Sequence, residues 1–273
     1  MQIQHRPIRP LAWLLLATTL SSPGLAQETA PPADGNEIVV TALRRDTTIQ
    51  STQISISAMT GDSLGRLGAS SMNDYFRQVP NLQVEGNAPT SRRLTIRGIR
   101  SAGEATVGLY YDETPLTGPG GTTADAGSTN PDINLFDVER VEVLRGPQGT
   151  LFGSGSMGGT LRVIFRKPNA SRVEGTVEAQ GTVTKDGDPG FYVKGMVNLP
   201  VVSDMLALRV VGYKENRGGY IDIPGLGREN VNDTRSYGGR AMLGFTPDPD
   251  FTLILSANYQ NNKLNGPVNY NTP

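Results

Sequence analysis

Leu135-Phe136-Asp137-Val138-Glu139-Arg140-Val141-Glu142-Val143-Leu144-Arg145-Gly146-Pro147-Gln148-Gly149-Thr150-Leu151-Phe152-Gly153 is the stretch that decides the architecture of this chain. Val141 and Val143 face one way with Glu142 between them on the other face, which is the pattern of a half-buried strand. From Gln53 to Lys167, on both sides of that strand, short strand patterns alternate with turns. Gln53-Ile54-Ser55-Ile56-Ser57 has period two, Leu94 and Ile96 alternate with Thr95 and Arg97, and Val107–Tyr111 and Leu161–Phe165 read as further strands. Ser71-Met72-Asn73-Asp74 has capping-box spacing with Asp in place of Glu. Tyr75, Phe76 and Val79 follow on one helical face before Pro80 stops it, which predicts one compact helix. The result is a mixed α+β unit of about 115 residues, a normal domain size.

After Pro168 the pattern changes. Val173, Gly175, Val177, Ala179, Gly181 and Val183 alternate with Glu174, Thr176, Glu178, Gln180, Thr182 and Thr184. A transmembrane strand with lipid on one side and water on the other reads this way, and so does a soluble antiparallel meander. Phe191–Leu199, Met205–Tyr213, Arg240–Thr246 and Phe251–Tyr259 continue in units of ~10 residues between Asp, Gly, Pro and Asn turns. The tail is long enough for roughly five membrane-length strands, whereas a closed barrel needs at least about 8 and plugged transporters about 22. An open sheet edge cannot sit in lipid. The chain is therefore read as a fragment, a truncated gene product or the start of a longer frame.

The 273 residues are only 37% apolar, rich in Gly and Pro, and nearly neutral. No polybasic run is present, so nucleic acid is not an expected partner. With no cysteine and a single histidine, His5, the chain lacks disulfides, thiolate sites and most catalytic constellations, and no metal or cofactor is expected. Arg6 and Arg9, the apolar run Leu11–Leu20 and the small-residue tail ending at Ala26 form a secretory signal peptide over residues 1–26. Ten apolar residues are too few for a spanning helix, which needs about 20. Residues 27–52 are too polar to fold alone and are expected to be a disordered tether. Within them Glu37-Ile38-Val39-Val40-Thr41-Ala42 is a short β-branched run. It is either the first strand of a sheet or a peptide that stays exposed and adds itself to a partner's sheet edge.

The stretch Leu135 to Gly153 is similar to the signature of TonB-dependent receptor plug domains. Leu94-Thr95-Ile96-Arg97-Gly98 and Val107-Gly108-Leu109-Tyr110-Tyr111-Asp112 are similar to two further plug segments, in the order the family uses them. Glu37 to Thr41 is similar to the family's TonB box, and together the likeness covers residues 37 to about 168. It implies a signal peptide at 1–26 and a periplasmic tether at 27–52 that carries the TonB box at 37–42. An α+β plug with a small mixed sheet and short helices follows at 53–168, then antiparallel strands of an incomplete transmembrane β-barrel at 169–273. The family often has Asp-Gly after the aromatic strand; Asp112-Glu113-Thr114-Pro115 lacks that glycine, so a wide loop is expected there.

The resemblance further implies energy-coupled uptake at the outer membrane. A ferric siderophore or similar bulky solute would bind, and the inner-membrane TonB complex would pull on Glu37, Ile38, Val39, Val40, Thr41 and Ala42. Loops Ile99–Thr106 and Leu116–Asn130 would face the solute. Arg97, Glu139 and Arg145 are candidates for ion pairs within the plug or between plug and wall. No catalysis is expected. Rival readings are a stand-alone periplasmic binding module, a non-functional truncated receptor and a hydrolase built on Asp112 and Glu113, although adjacent strand residues point to opposite faces. Gly153-Ser154-Gly155-Ser156-Met157-Gly158 satisfies the letter of the dinucleotide fingerprint, but a strand pattern follows where a helix would have to begin, so the glycines are read as a turn.

Overall fold

The computed structural model describes residues 38–41, 47–52, 54–67, 72–88, 91–116 and 126–266. The proposed signal peptide and residues 27–37 lie outside these. β1 (Val39–Val40) pairs antiparallel with β2 (Thr47–Thr48). Then come β3 (Ile56–Thr60), α1 (Gly61–Arg66), α2 (Met72–Phe76), β4 (Leu82–Ala88), β5 (Ser91–Ile96), β6 (Val107–Tyr111), β7 (Thr114–Pro115), β8 (Val138–Arg145), α3 (Gly149–Phe152) and β9 (Gly159–Phe165). The central sheet has the order β3-β8-β9-β6-β7, with β6 and β9 parallel and the other neighbours antiparallel. β4 and β5 form a separate hairpin.

One face of this sheet builds the main core. Val107, Leu109, Val141, Val143, Leu161 and Val163 pack there against Leu64 of α1, Tyr75 of α2, and Leu94 and Ile96 of β5. Each such fully buried aliphatic side chain contributes on the order of 1.5–3 kcal/mol. The other face is covered as well: Tyr110, Leu144 and Phe152 pack with Val40 and, at their margin, Ile56 and Ala58. β8 is therefore not the half-buried strand that its alternation predicts. Glu142 is 0% exposed, because its charged face is roofed by the N-terminal segment and by arginines that neutralise it.

The predicted helix from Ser71 to Val79 is shorter in the structure. After Phe76 the bonds from the N–H of Gln78 to Tyr75 O and of Val79 to Phe76 O tighten the chain into turns ahead of Pro80. Asp112-Glu113 makes a two-residue turn, with Tyr111 opposite Thr114, rather than the expected wide loop. Asp112 takes the place of glycine at φ 49°, a conformation that a short polar side chain tolerates. Its carboxylate accepts from the Phe165 N–H at 3.2 Å and pairs with Lys167 Nζ at 2.5 Å. Asp112→Ala is expected to cost about 1–2 kcal/mol by stranding these partners, read as faster amide exchange in β6 and β9. Gly153 to Gly158 is a turn containing one 3-10 segment, Ser154–Ser156, and β9 follows it directly.

The tail forms one antiparallel sheet. Its strands are β10 (Glu174–Thr182), β11 (Gly190–Val202) and β12 (Leu206–Arg217), then β15 (Asp233–Asp248) and β16 (Phe251–Asn265), in that order. A small hairpin of β13 (Ile221–Ile223) and β14 (Arg228–Val231), not evident from periodicity, occupies the connection between β12 and β15. Short turns lie at one end of the sheet and longer connections at the other, as in outer-membrane barrels. Val177, Phe191, Val193, Val197, Leu253 and Leu255 are exposed on the outer face, while Lys194, Asn198, Arg209, Arg240 and Met242 are buried on the inner face. Tyr237 and Tyr259 stand on the outer face toward the long-connection end, with ring centroids 6.1 Å apart, and Phe251 stands toward the short-turn end. Met242 and Ile254 reach inward to join the main core of the plug.

Candidate functional site

Two polar clusters adjoin β8 and β9, one at the middle of the pair, where Glu142 lies opposite Arg162, and one at the start of β8. The first is the seat of the N-terminal segment. Val40 is 0% exposed and Val39 is 42% exposed, so β1 lays one side chain on the sheet and turns the other to solvent. Beneath Val40, the Tyr110 hydroxyl donates to Phe152 O at 2.5 Å and the two rings meet edge to face at 5.3 Å.

Thr41 is held by all three of its polar groups. Its N–H donates to Glu142 Oε1 at 3.0 Å. Its carbonyl accepts from Arg162 Nη1 at 2.9 Å. Its hydroxyl accepts from the same Nη1 at 3.0 Å and from Arg140 Nη2 at 3.1 Å. Glu142 in turn accepts from Arg140 Nε and Arg162 Nη1, each at 2.8 Å. Glu113 pairs with Arg162, and Glu139 with Arg140. A carboxylate so buried is tolerable only because two guanidinium groups compensate it.

The expectation of an exposed peptide is thus corrected. Residues 38–41 are seated on the plug, because without a partner's sheet to pair with, Val40 gains by burial. Residues 47–52 also fold back, with β2 pairing β1 and the Thr52 N–H bonded to Thr48 O, so the tether at 27–52 is ordered in this part. Glu37 and Ala42 lie outside the described residues.

The sequence-based ion-pair candidates fare unevenly. Arg97 sits exposed in a turn at φ 55° and makes no ion pair among the described residues. Glu139 pairs with its neighbour Arg140, an ion pair within the plug. Arg145 bonds the hydroxyls of Ser55 at 3.2 Å and Ser57 at 2.5 Å rather than a carboxylate, since β3 is the strand beside it. Asp112 and Glu113 are both committed to cations, to Lys167 and Arg162, which removes the hydrolase pair.

The second cluster was not legible in the sequence. Asp137, at φ 57° in the turn before β8, is held by the inner face of the wall. Arg209 of β12 grips its carboxylate through Nε at 2.9 Å and Nη2 at 2.5 Å. Arg240 of β15 donates to its carbonyl at 2.9 Å and its carboxylate at 3.2 Å, and stacks 3.6 Å over the Phe165 ring. Glu174 of β10 takes the remaining Nη1 of Arg209 at 3.0 Å. Arg172 also pairs with Glu174, at 2.5 Å, so two carboxylates are shared among three guanidiniums, of which Arg209 and Arg240 are buried.

Farther along the plug, Arg92 links β5 to α2 and to the loop before β8. It donates to Asn73 Oδ1 at 3.2 Å and to Asp132 Oδ2 at 2.9 Å. Burial holds its guanidinium below the ordinary arginine range, against the opposing pull of Asp132. Burial likewise pushes the Tyr75 phenol well above the usual tyrosine range, with Arg145 pulling the other way. The loop Ile99–Thr106 is tied down by the Thr106 hydroxyl, which donates to Ile99 O at 2.9 Å, and by Arg93, which donates to Ser101 O at 3.1 Å. Of the loop Leu116–Asn130, the described part is anchored by the Asn130 amide, which donates to Arg92 O and Gly127 O at 3.1 Å.

Residues 48–160 match the family model for the TonB-dependent receptor plug domain. The pesticin receptor of Yersinia pestis is 28% identical over 232 residues, 83% of this chain and 32% of that protein. The iron-regulated outer membrane virulence protein of Vibrio cholerae is 28% identical over 234 residues, 81% of this chain and 33% of that protein. Among solved structures, the ferric yersiniabactin uptake receptor of Yersinia pestis superposes with a TM-score of 0.66 at 25% identity, covering 78% of this chain and 32% of that one. This chain spans about a third of the length of the curated relatives it matches. The first and third of these are named as receptors, and the second as an outer-membrane protein. A matching plug model, the same order of plug then antiparallel wall, and relatives of the outer membrane agree: residues 48–160 are a TonB-dependent receptor plug domain, and the chain as a whole is similar to about a third of the length of outer-membrane receptors that carry one.

Proposed function

We propose that this chain supplies the plug and first wall strands of a receptor for energy-coupled uptake of a ferric siderophore or similarly bulky solute. Residues 37–42 would be the segment handed to TonB of the inner-membrane complex. The observation that carries the reading is the strand at Val39–Val40, seated through Val40 and Thr41 with Ile38 partly buried beside them, and paired over only two residues. Such a short, one-sided attachment suits a segment that must leave and return. The relative named for ferric yersiniabactin uptake supports the solute class. The tied loops at 99–106 and 126–130 would offer a firm surface to it, as binding loops on a rigid scaffold do.

In cells carrying the complete receptor, deletion of residues 37–42 is expected to abolish uptake of radiolabelled ferric siderophore while leaving its binding to the cell surface intact. Undiminished uptake by the deletion strain would refute the role of the segment. A soluble periplasmic module is disfavoured by the outer face of the wall, where Val177 is 80% and Leu255 56% exposed in alternating register.

A further inference from the structure

We propose that the outer face of the wall carries a docking site for a phosphorylated sugar headgroup, that of a glycolipid in the outward leaflet, built by Lys214, Asn216, Arg235, Asn261 and Lys263. This rests on reading β10 to β16 as strands of a wall that lipid surrounds. The sheet register brings these residues together. In one row Asn216 of β12 stands opposite Arg235 of β15, and Arg235 opposite Lys263 of β16. In the next row Lys214 stands opposite Tyr237, and Tyr237 opposite Asn261. Alternation puts both rows on the face of the exposed Val210, Leu243, Leu255 and Tyr259. With strands ~4.8 Å apart and same-face neighbours ~6.6 Å apart along each strand, the patch is about 10 Å by 7 Å, room for a sugar ring and its phosphate.

Two observations give the patch its chemistry. Arg235 and Lys263 are like charges directly opposite each other, an arrangement that works against the sheet, and Lys214 adds a third cation on the diagonal. Against them stands Asp233, 3.3 Å from Arg235 Nε; Lys214 and Lys263 make no ion pair among the described residues. The cluster calls for an anion. In the same two rows the side-chain oxygens of Asn216 and Asn261 are buried and accept no hydrogen bond, a state that buried polar groups avoid. A sugar hydroxyl reaching between the flexible cationic arms would donate to them, which a bare phosphate cannot do.

The height of the patch selects the leaflet. It lies toward the long connections, the end that faces outward in outer-membrane barrels. Lys263 stands four residues beyond Tyr259, about 13 Å along the strand and about 10 Å in height at a tilt of roughly 40°. Aromatic rings mark the interface, and the headgroup layer beyond it is roughly 5–8 Å thick, within reach of these cations. At the other end the turns hold Asp204, Asp248 and Asp250, and Leu206, Phe245 and Phe251 face outward.

Native mass spectrometry of the full chain in detergent micelles tests the site, with lipid A, a phosphorylated glucosamine disaccharide lipid, as the probe. Lipid A is expected to stay bound. Arg235→Gln combined with Lys263→Gln should weaken it roughly twentyfold, about fivefold per charge, and dephosphorylated lipid A should not distinguish this variant from the parent. Asn216→Leu with Asn261→Leu should weaken lipid A and leave phosphatidylglycerol unchanged. Since the charge variant relieves a repulsion, its unfolding temperature without lipid should hold or rise, so weaker binding cannot be put down to a damaged sheet.

Lipid A binding that the charge variant leaves unchanged, phosphatidylglycerol bound as tightly as lipid A, or displacement of the lipid by millimolar inorganic phosphate each overturns the proposal. Leu255→Cys separates this failure from that of the underlying reading. If the cysteine reacts with a water-soluble maleimide as fast as in the denatured chain, the face is not a lipid face and the site falls with it. If it is shielded and lipid A still does not bind, the site alone is overturned.

Discussion

Asp137→Ala is expected to loosen the plug from the wall more than any other single side-chain truncation in the interface. The carboxylate is 3% exposed and is shared by Arg209 and Arg240. Removing it leaves two buried guanidiniums with Glu174 as the one remaining carboxylate of the cluster. Breaking a buried pair by deleting one partner costs about 3–5 kcal/mol, well beyond what an exposed pair contributes. Ala also fits φ 57° poorly, so Asp137→Asn is the informative companion: it retains the shape and the tolerance of a left-handed backbone but drops the charge. Amide exchange in β8 and β9, followed by mass spectrometry in micelles, should accelerate in both variants. Unchanged protection in Asp137→Asn would mean that Met242 and Ile254, not the ions, hold the plug against this wall.

Gly61→Ala is the second. Gly61 opens α1 directly above the end of β8, and a Cβ built on it would lie 1.9 Å from the carbonyl oxygen of Val138 and 3.0 Å from its carbon. Both are main-chain atoms of a strand paired on two sides, so neither can swing away as a side chain would. Overpacking of this kind costs typically about 1–3 kcal/mol, and a backbone obstacle puts it at the upper end or beyond. The expected result is displacement of α1 and loss of protection at Leu64, which is 2% exposed. Gly65→Ala, with nothing within 4 Å of its Cβ, is the control. It should be neutral or slightly stabilising, since alanine favours helix.

What could be read from the chain depended on the range of the interaction. The strands of the plug and wall were legible because Val141 and Val143, or Val173 to Val183, announce their own period over a few residues. The segment Ile38–Thr41 was legible as a strand for the same reason. Its position was not, because the groups that fix it, Glu142 and Arg162, lie 101 and 121 residues away. Asp137 escaped notice for a similar cause: its partners Arg209 and Arg240 are 72 and 103 residues distant, and no local pattern marks an aspartate that a distant wall will seize. Arg97, Glu139 and Arg145 were chosen by charge alone, and charge does not say which neighbour folding will supply. The turn at Asp112 was misjudged because glycine was treated as required, whereas Lys167 and the Phe165 N–H anchor an aspartate in the same conformation.

The outer face of β16 carries Phe251, Leu253, Leu255, Ala257 and Tyr259 in alternate positions, with an aromatic ring at each end. Eight residues separate those rings, about 26 Å along the strand at ~3.3 Å per residue. At a barrel tilt of roughly 40° this projects to only about 20 Å of bilayer thickness. A wall so proportioned is matched to a thin hydrocarbon layer, such as that of the bacterial outer membrane, and in a thicker one would force lipids to compress around it. Short-chain lipids are therefore the natural solvent for this sheet, and hydrophobic mismatch would discourage its insertion into any thicker membrane it meets on the way.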